Sequence, residues 1–199
     1  LSYALFSSLI SIYMLGLGFS AGQVSVVVSV SFFASMLIQP LIGVLNDRFN
    51  IKKVTLFSFG AIIIFAIYFT QVKDILGLTI SYSLVIMLVN GVSPVMDVLA
   101  ARSPYTYGKI RIWGTIGYAI GSQLAGILYQ YVSPMAIFIA FILTMLITIV
   151  GTLGIRIQQD SKKNQSDTKK DSYIGQILTN KTYLYYLLIV ALYSGVGNA

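Results

Sequence analysis

Few residues in this sequence could do chemistry. It has six carboxylates and thirteen Lys or Arg side chains, with no histidine and no cysteine. Disulfides, thiolate or imidazole metal sites and histidine-based triads are therefore excluded within the 199 residues. There is no Walker A pattern and no pair of catalytic carboxylates, so the sequence reads as a non-enzyme. What remains is ion pairing and hydrogen bonding by isolated charges in apolar surroundings. Asp97 is the one acid inside an expected membrane span, and Arg111 follows it. If the turn between them centres near Pro104, each lies seven residues from it. At about 1.5 Å rise per residue they then sit at similar depth on adjacent antiparallel helices. A carboxylate and a guanidinium facing each other there can each yield part of that pairing to hydroxyls or an anionic solute group. Two plainer alternatives stay open. Arg111 could reach back to the membrane interface, or Asp97 could pair with Arg48.

Asp97 also belongs to a stripe. Ser83, Asn90 and Asp97 recur every seven residues, and Ser93 lies one turn from the last two. A polar stripe on an apolar helix is the pattern of a cavity wall; interhelical hydrogen bonding would produce it equally. Gly114, Gly117, Gly121 and Gly126 follow, with Gly117-x-x-x-Gly121 as a small-residue face that packs against a neighbouring helix.

The elements that carry these residues are legible from composition. The sequence is 57% hydrophobic and 10% charged, against about 25% charged in an average soluble domain. Its charges cluster, leaving uncharged tracts at Leu1 to Asn46, Val54 to Val72, Ile75 to Met96 and Ile112 to Ile155. About 20 apolar residues cross the hydrocarbon layer, so each tract holds one or two crossings. The first tract breaks before Ser20, which with Gln23 has the capping-box pattern. The last breaks at Ser133-Pro134, a cap followed by a first-turn proline. Six spans result, at 1–18, 22–46, 54–72, 75–99, 107–131 and 134–156. An all-α membrane protein is the expected class. The expected domains are a six-helix bundle over 1–157, a polar linker over 158–181, and the start of a seventh span over 182–199. Tyr183, Tyr185 and Tyr186 would form an interfacial belt there.

Orientation follows from the cations. Arg48, Lys52, Lys53, Arg102, Lys109, Arg111, Arg156, Lys162, Lys163, Lys169, Lys170 and Lys181 fall on one side, and Lys73 alone on the other. The positive-inside rule makes the crowded side cytoplasmic, with the N-terminus inside. The net charge of +7 is thereby explained by topology, and nucleic acid is not an expected partner. No cleavable signal peptide is recognised, and both ends are expected to be truncated. Six spans, a linker and a further apolar run are the plan of a twelve-helix transporter made of two similar halves.

The run Gln39 to Lys53 resembles the loop signature between helices 2 and 3 of the major facilitator superfamily, G-x-x-x-D-R-x-G-x-K/R-K/R. On that resemblance Gly43, Asp47, Arg48, Lys52 and Lys53 form a cytoplasmic gate. Gly43 would allow close helix approach, and Asp47 would meet a helix N-terminus or a cation. Asn50 stands where the signature has glycine, as the residue that next best tolerates left-handed backbone. A basic turn that merely sets topology is the alternative. Ser93-Pro94-Val95-Met96-Asp97 and Tyr107-Gly108-Lys109-Ile110-Arg111 together resemble the lactose permease group of proton symporters and its oligosaccharide, nucleoside and phenylpropionate relatives. The resemblance implies the N-terminal half of a twelve-helix fold with 3+3 inverted repeats. It also implies Asp97 and Arg111 as solute contacts, with Tyr118 stacking on the solute ring; the polar stripe, read as a cavity wall, adds Asn90 as a further solute-binding candidate.

The expected activity is alternating-access transport of a sugar, nucleoside or small aromatic acid across the cytoplasmic membrane. Expected partners are the solute, the bilayer and the chain's own C-terminal bundle. No cofactor is expected beyond a coupling proton. A proton-antiport drug exporter and a non-transporting membrane sensor are the alternatives.

Overall fold

Four of the five long helices among the described residues start at small polar residues. The computed structural model describes residues 1–101 and 106–154, apart from the Asp47 side chain. The expected linker over 158–181, the seventh span, its tyrosines, Arg102 and Arg156 lie outside the described residues. Ser20 caps α3 (Ala21–Arg48) through the full capping box: the Gln23 N–H donates to Ser20 Oγ at 3.3 Å, and the Ser20 N–H to Gln23 Oε1 at 2.9 Å. Ser133 caps α7 (Pro134–Gly154) by accepting from the Ala136 N–H at 3.2 Å.

Two helices differ from expectation. α4 (Ile51–Gln71) starts three residues before the expected position 54, because Asn50 Oδ1 accepts from the Lys52 N–H at 3.0 Å. Asn50 lies at φ −64° and ψ 119°, so its position is extended and not left-handed. The glycine-like role expected of it is corrected to that of an N-cap.

The first span is two helices, α1 (Ser2–Ser7) and α2 (Ile10–Gly16), rather than one. The cause is local. Ser7 Oγ and Ser8 Oγ donate to the carbonyls of Tyr3 and Ala4 at 2.8 and 2.6 Å. Adjacent serines bonding back to the preceding turn compete with the helix ladder and bend it. The remaining elements, α5 (Ile75–Ala101) and α6 (Tyr107–Tyr131), match the expected spans to within two residues. α5 is started by Asp74, whose Oδ2 accepts from the Gly77 N–H at 2.7 Å.

Four helices, α3, α4, α5 and α7, are each long and apolar enough to cross a membrane. α6 has the length, 25 residues, but carries Lys109, Arg111 and several hydroxyls. No strand occurs among the described residues, and the chain is an all-α, multi-pass membrane protein.

The packing follows a rule of exchange. Let spans 1 to 6 be α1 with α2, α3, α4, α5, α6 and α7. The packed pairs are 2 with 4, 3 with 4, 1 with 5, 3 with 6, 1 with 6, 5 with 6, 1 with 2, 2 with 3 and 4 with 5. Swapping 1 with 4, 2 with 5 and 3 with 6 returns the same set. Spans 1 and 4 run in opposite senses when crossings alternate, so the exchange is that of a 3+3 inverted repeat.

Spans 1, 3, 4 and 6 meet in an aromatic core. Phe6 lies 4.7 Å from Phe141 and 5.5 Å, stacked, from Tyr82, while Phe138 lies 4.9 Å from Phe69 and 4.8 Å from Tyr13, measured between ring centroids. In lipid, apolar burial alone does not drive helices together, so such contacts and close backbone approach must do so. Glycines supply the approach. A Cβ on Gly121 would lie 2.7 Å from the Leu1 carbonyl oxygen and 3.1 Å from Ala4 Cβ, and Gly117 also faces Leu1. The small-residue face of α6 therefore packs on α1.

Candidate functional site

α5 ends and α6 begins around the two charges. Asp97 sits one turn before the end of α5, and Arg111 sits one turn into α6. Both are exposed on the described surface. They are neighbours, as expected from their equal distance to the turn, but they do not touch directly. Arg111 Nη1 donates to Tyr107 Oη at 2.7 Å, and Tyr107 Oη donates to Asp97 Oδ1 at 3.4 Å. The guanidinium carbon also lies 5.8 Å from the centre of the Tyr107 ring, within cation–π range. Among the described residues, Asp97 forms no ion pair with Arg111 or with Arg48. Sequence reasoning missed Tyr107, although its spacing four residues before Arg111 was a usable signal.

The stripe on α5 divides. Asn90 Nδ2 donates to Ser35 Oγ on α3 at 3.1 Å, an interhelical bond, and Asn90 is half-buried. Ser83 is buried, and its Oγ has no partner among the described residues. Ser93 and Asp97 are exposed. The upper part of the stripe thus ties helices together, and only the lower part faces open space.

A second stripe lies on α6. Arg111, Thr115, Tyr118 and Ser122 follow helical spacing and share one face. Tyr118 is 49% exposed, with its ring 6.5 Å from Tyr3 at a 33° tilt. Ser122 Oγ lies 3.5 Å from Ser8 Oγ, at the break of the first span. Tyr3 and Ser8 were not expected at a site, since the first span had been read only as a crossing. The arrangement offers hydroxyls, one carboxylate, one guanidinium and the rings of Tyr3, Tyr107 and Tyr118, groups whose chemistry suits hydrogen bonding and stacking with polyhydroxylated or ring-shaped molecules. Among the described residues no three Asp, Glu, His or Cys side chains come together as a metal site.

Lys52 Nζ donates to the Leu153 carbonyl at 2.6 Å, placing a cation on the negative end of α7. Arg48 and Lys53 are exposed. The Asp47 side chain lies outside the described residues. Gly43 is exposed, and a Cβ there would meet nothing within 4 Å. Within the described bundle Gly91 makes a close approach, where a Cβ would run into Ile42 and lie 3.3 Å from Ile38 Cγ2. Beside the cluster, Asn46 Nδ2 donates to the Ile42 carbonyl at 2.9 Å, while its buried Oδ1 has no partner among the described residues.

Comparison with known proteins agrees with this architecture. The family model described as the MFS_1 like family matches residues 1–198. The chain is similar to the sucrose permease of Escherichia coli, 25% identical over 216 residues that cover 98% of this chain and 50% of the permease. It is also similar to the lactose permease of Citrobacter freundii, 26% identical over 55% of this chain and 29% of that protein. The raffinose permease of Escherichia coli is 29% identical over 61% of this chain and 31% of the permease. The chain spans about half the length of the sucrose permease and under a third of the other two are matched. No solved structure matches the chain.

Proposed function

We propose, from the premise that this chain belongs to the MFS_1 like family, that it is the N-terminal half of a sugar transporter of the cytoplasmic membrane. The whole protein moves its solute by alternating access, rocking this bundle against a second one about a midplane site. Proton symport is the coupling mode, and the chain itself needs no cofactor. The observation that carries the reading is the meeting of Asp97 and Arg111 through a hydroxyl on α5 and α6, both open on one face. Charged groups within a membrane bundle are costly unless they pair or face an aqueous cavity. A pair joined only through a hydroxyl is suited to exchanging that hydroxyl for those of a sugar.

In this reading Arg111 and Asp97 orient the solute, Tyr118 stacks on its ring, and Asn90 braces the wall from α5 through Ser35. Gly43, Asp47, Arg48, Lys52 and Lys53 gate the cytoplasmic side. The exposed Gly43 and Lys53 then face the C-terminal bundle, and the N-terminus is cytoplasmic. The names of the similar permeases support sucrose, lactose and raffinose as first solutes to try. The test is uptake of these three radiolabelled sugars into energised right-side-out vesicles containing the full-length protein. Accumulation that collapses with a protonophore is expected. Export in place of uptake, or no movement of any of the three, would sink the reading.

A further inference from the structure

The hydroxyl between the two charges has a consequence of its own. An arginine and an aspartate this close normally close into a direct, often two-pronged pair, the strongest arrangement open to them. Such a pair would engage both carboxylate oxygens and two of the guanidinium's five donors. Here Tyr107 stands between the two. Its oxygen accepts from Arg111 Nη1 at 2.7 Å while its hydrogen points to Asp97 Oδ1 at 3.4 Å, and its ring lies under the guanidinium. Each charge is thereby held by one bond to a neutral group. Among the described residues, Asp97 Oδ2 and the remaining Arg111 donors have no partner.

We infer that Tyr107 is a positioning residue that holds Arg111 off Asp97 and keeps the place of a solute hydroxyl between them. A hydroxyl bound there must accept from the guanidinium and donate to the carboxylate, as the tyrosine does. The inference selects solutes that carry a hydroxyl able to do both, and disfavours purely anionic solutes, which cannot donate to Asp97. It rests on the reading of Asp97 and Arg111 as the solute site. The position of Tyr107 as first residue of α6 also matters, because the helix start fixes where its ring emerges.

Tyr107→Phe tests it, since the ring is kept and only the hydroxyl is lost. The full-length protein in native membranes is labelled with phenylglyoxal, an arginine-selective dicarbonyl, and modification of the Arg111 peptide is followed by mass spectrometry. With the hydroxyl gone, Arg111 closes on Asp97 and its labelling slows roughly tenfold, as expected for a direct charge-assisted pair. Adding Asp97→Asn to Tyr107→Phe removes the charge that closes the pair and restores the wild-type labelling rate. Unchanged or faster labelling in Tyr107→Phe overturns the inference, as does slow labelling that persists in the double variant. In parallel, apparent affinity for whichever of sucrose, lactose or raffinose the wild type takes up weakens about tenfold, with maximal rate held. Unaltered affinity overturns the inference. A wild type that takes up none of the three sugars removes the sugar reading, and the labelling arm then decides for Tyr107 alone.

Discussion

Arg111 holds a specific partner by geometry as well as by charge. Its fork reaches Tyr107 Oη with one arm, which leaves further donors in the same plane for a solute. Lysine carries the charge but not the plane. Arg111→Lys in the full-length protein is therefore expected to keep expression and weaken solute affinity by roughly one to two orders of magnitude, a loss of about 1.5–3 kcal/mol typical of hydrogen bonds to charged groups. Uptake at varied sugar concentration reads it; wild-type affinity would take Arg111 out of the site. That this residue comes to one level with Asp97 was legible from equal spacing about Pro104. The hydroxyl between them was not, because spacing gives depth along a helix and says nothing of which side chain fills a gap of a few ångströms.

At the scale of the element, small residues divide by what stands opposite. Gly91 meets Ile42 and Ile38 where α3 and α5 pack most extensively. Gly91→Leu is expected to destabilise the bundle by about 1–3 kcal/mol, the usual cost of overpacking, seen as a lower thermal unfolding midpoint in detergent. Gly43 has open space where its Cβ would be. Gly43→Ala should leave that midpoint unchanged or slightly higher, since alanine is the better helix former by about 1 kcal/mol. If Gly43 faces the second bundle as proposed, the same variant slows transport. Normal transport in Gly43→Ala would remove it from the gate. Caps were readable in the sequence, since Ser20 with Gln23 and Ser133 with Pro134 act within one turn. The break at Ser8 and Leu9 was not, because Ser7 and Ser8 would serve as well in an unbroken membrane helix, where a back-bonded hydroxyl is common.

For the whole molecule the prediction concerns sidedness. The chain contains no cysteine, so single cysteines report cleanly on this half. Lys53→Cys is expected to react with an impermeant maleimide only in inside-out vesicles, and Lys73→Cys only in right-side-out ones. The reverse pattern would invert the orientation taken from the cations. The exchange that relates the two three-span units holds for which spans pack together and not for how extensively, since α3 packs on α5 far more than α1 does on α6. Much of α3, α6 and α7 remains exposed and apolar, including Phe33, Met36, Trp113 and Ile147. That surface requires lipid, detergent or a second bundle to cover it.

Read alone, the residue order determined that the chain is built of long apolar membrane helices, where most of those helices start and which two charges come to one level. Those properties depend on composition and on contacts within a turn or two, which a linear pattern records. Only the tertiary structure decided that Tyr107 stands between Asp97 and Arg111, that Asn90 is tied to Ser35, that Gly91 makes a close contact, and that Tyr3 joins Tyr118. Each of these depends on how two helices are rotated about their own axes, and rotation is set by the packing of all six spans together.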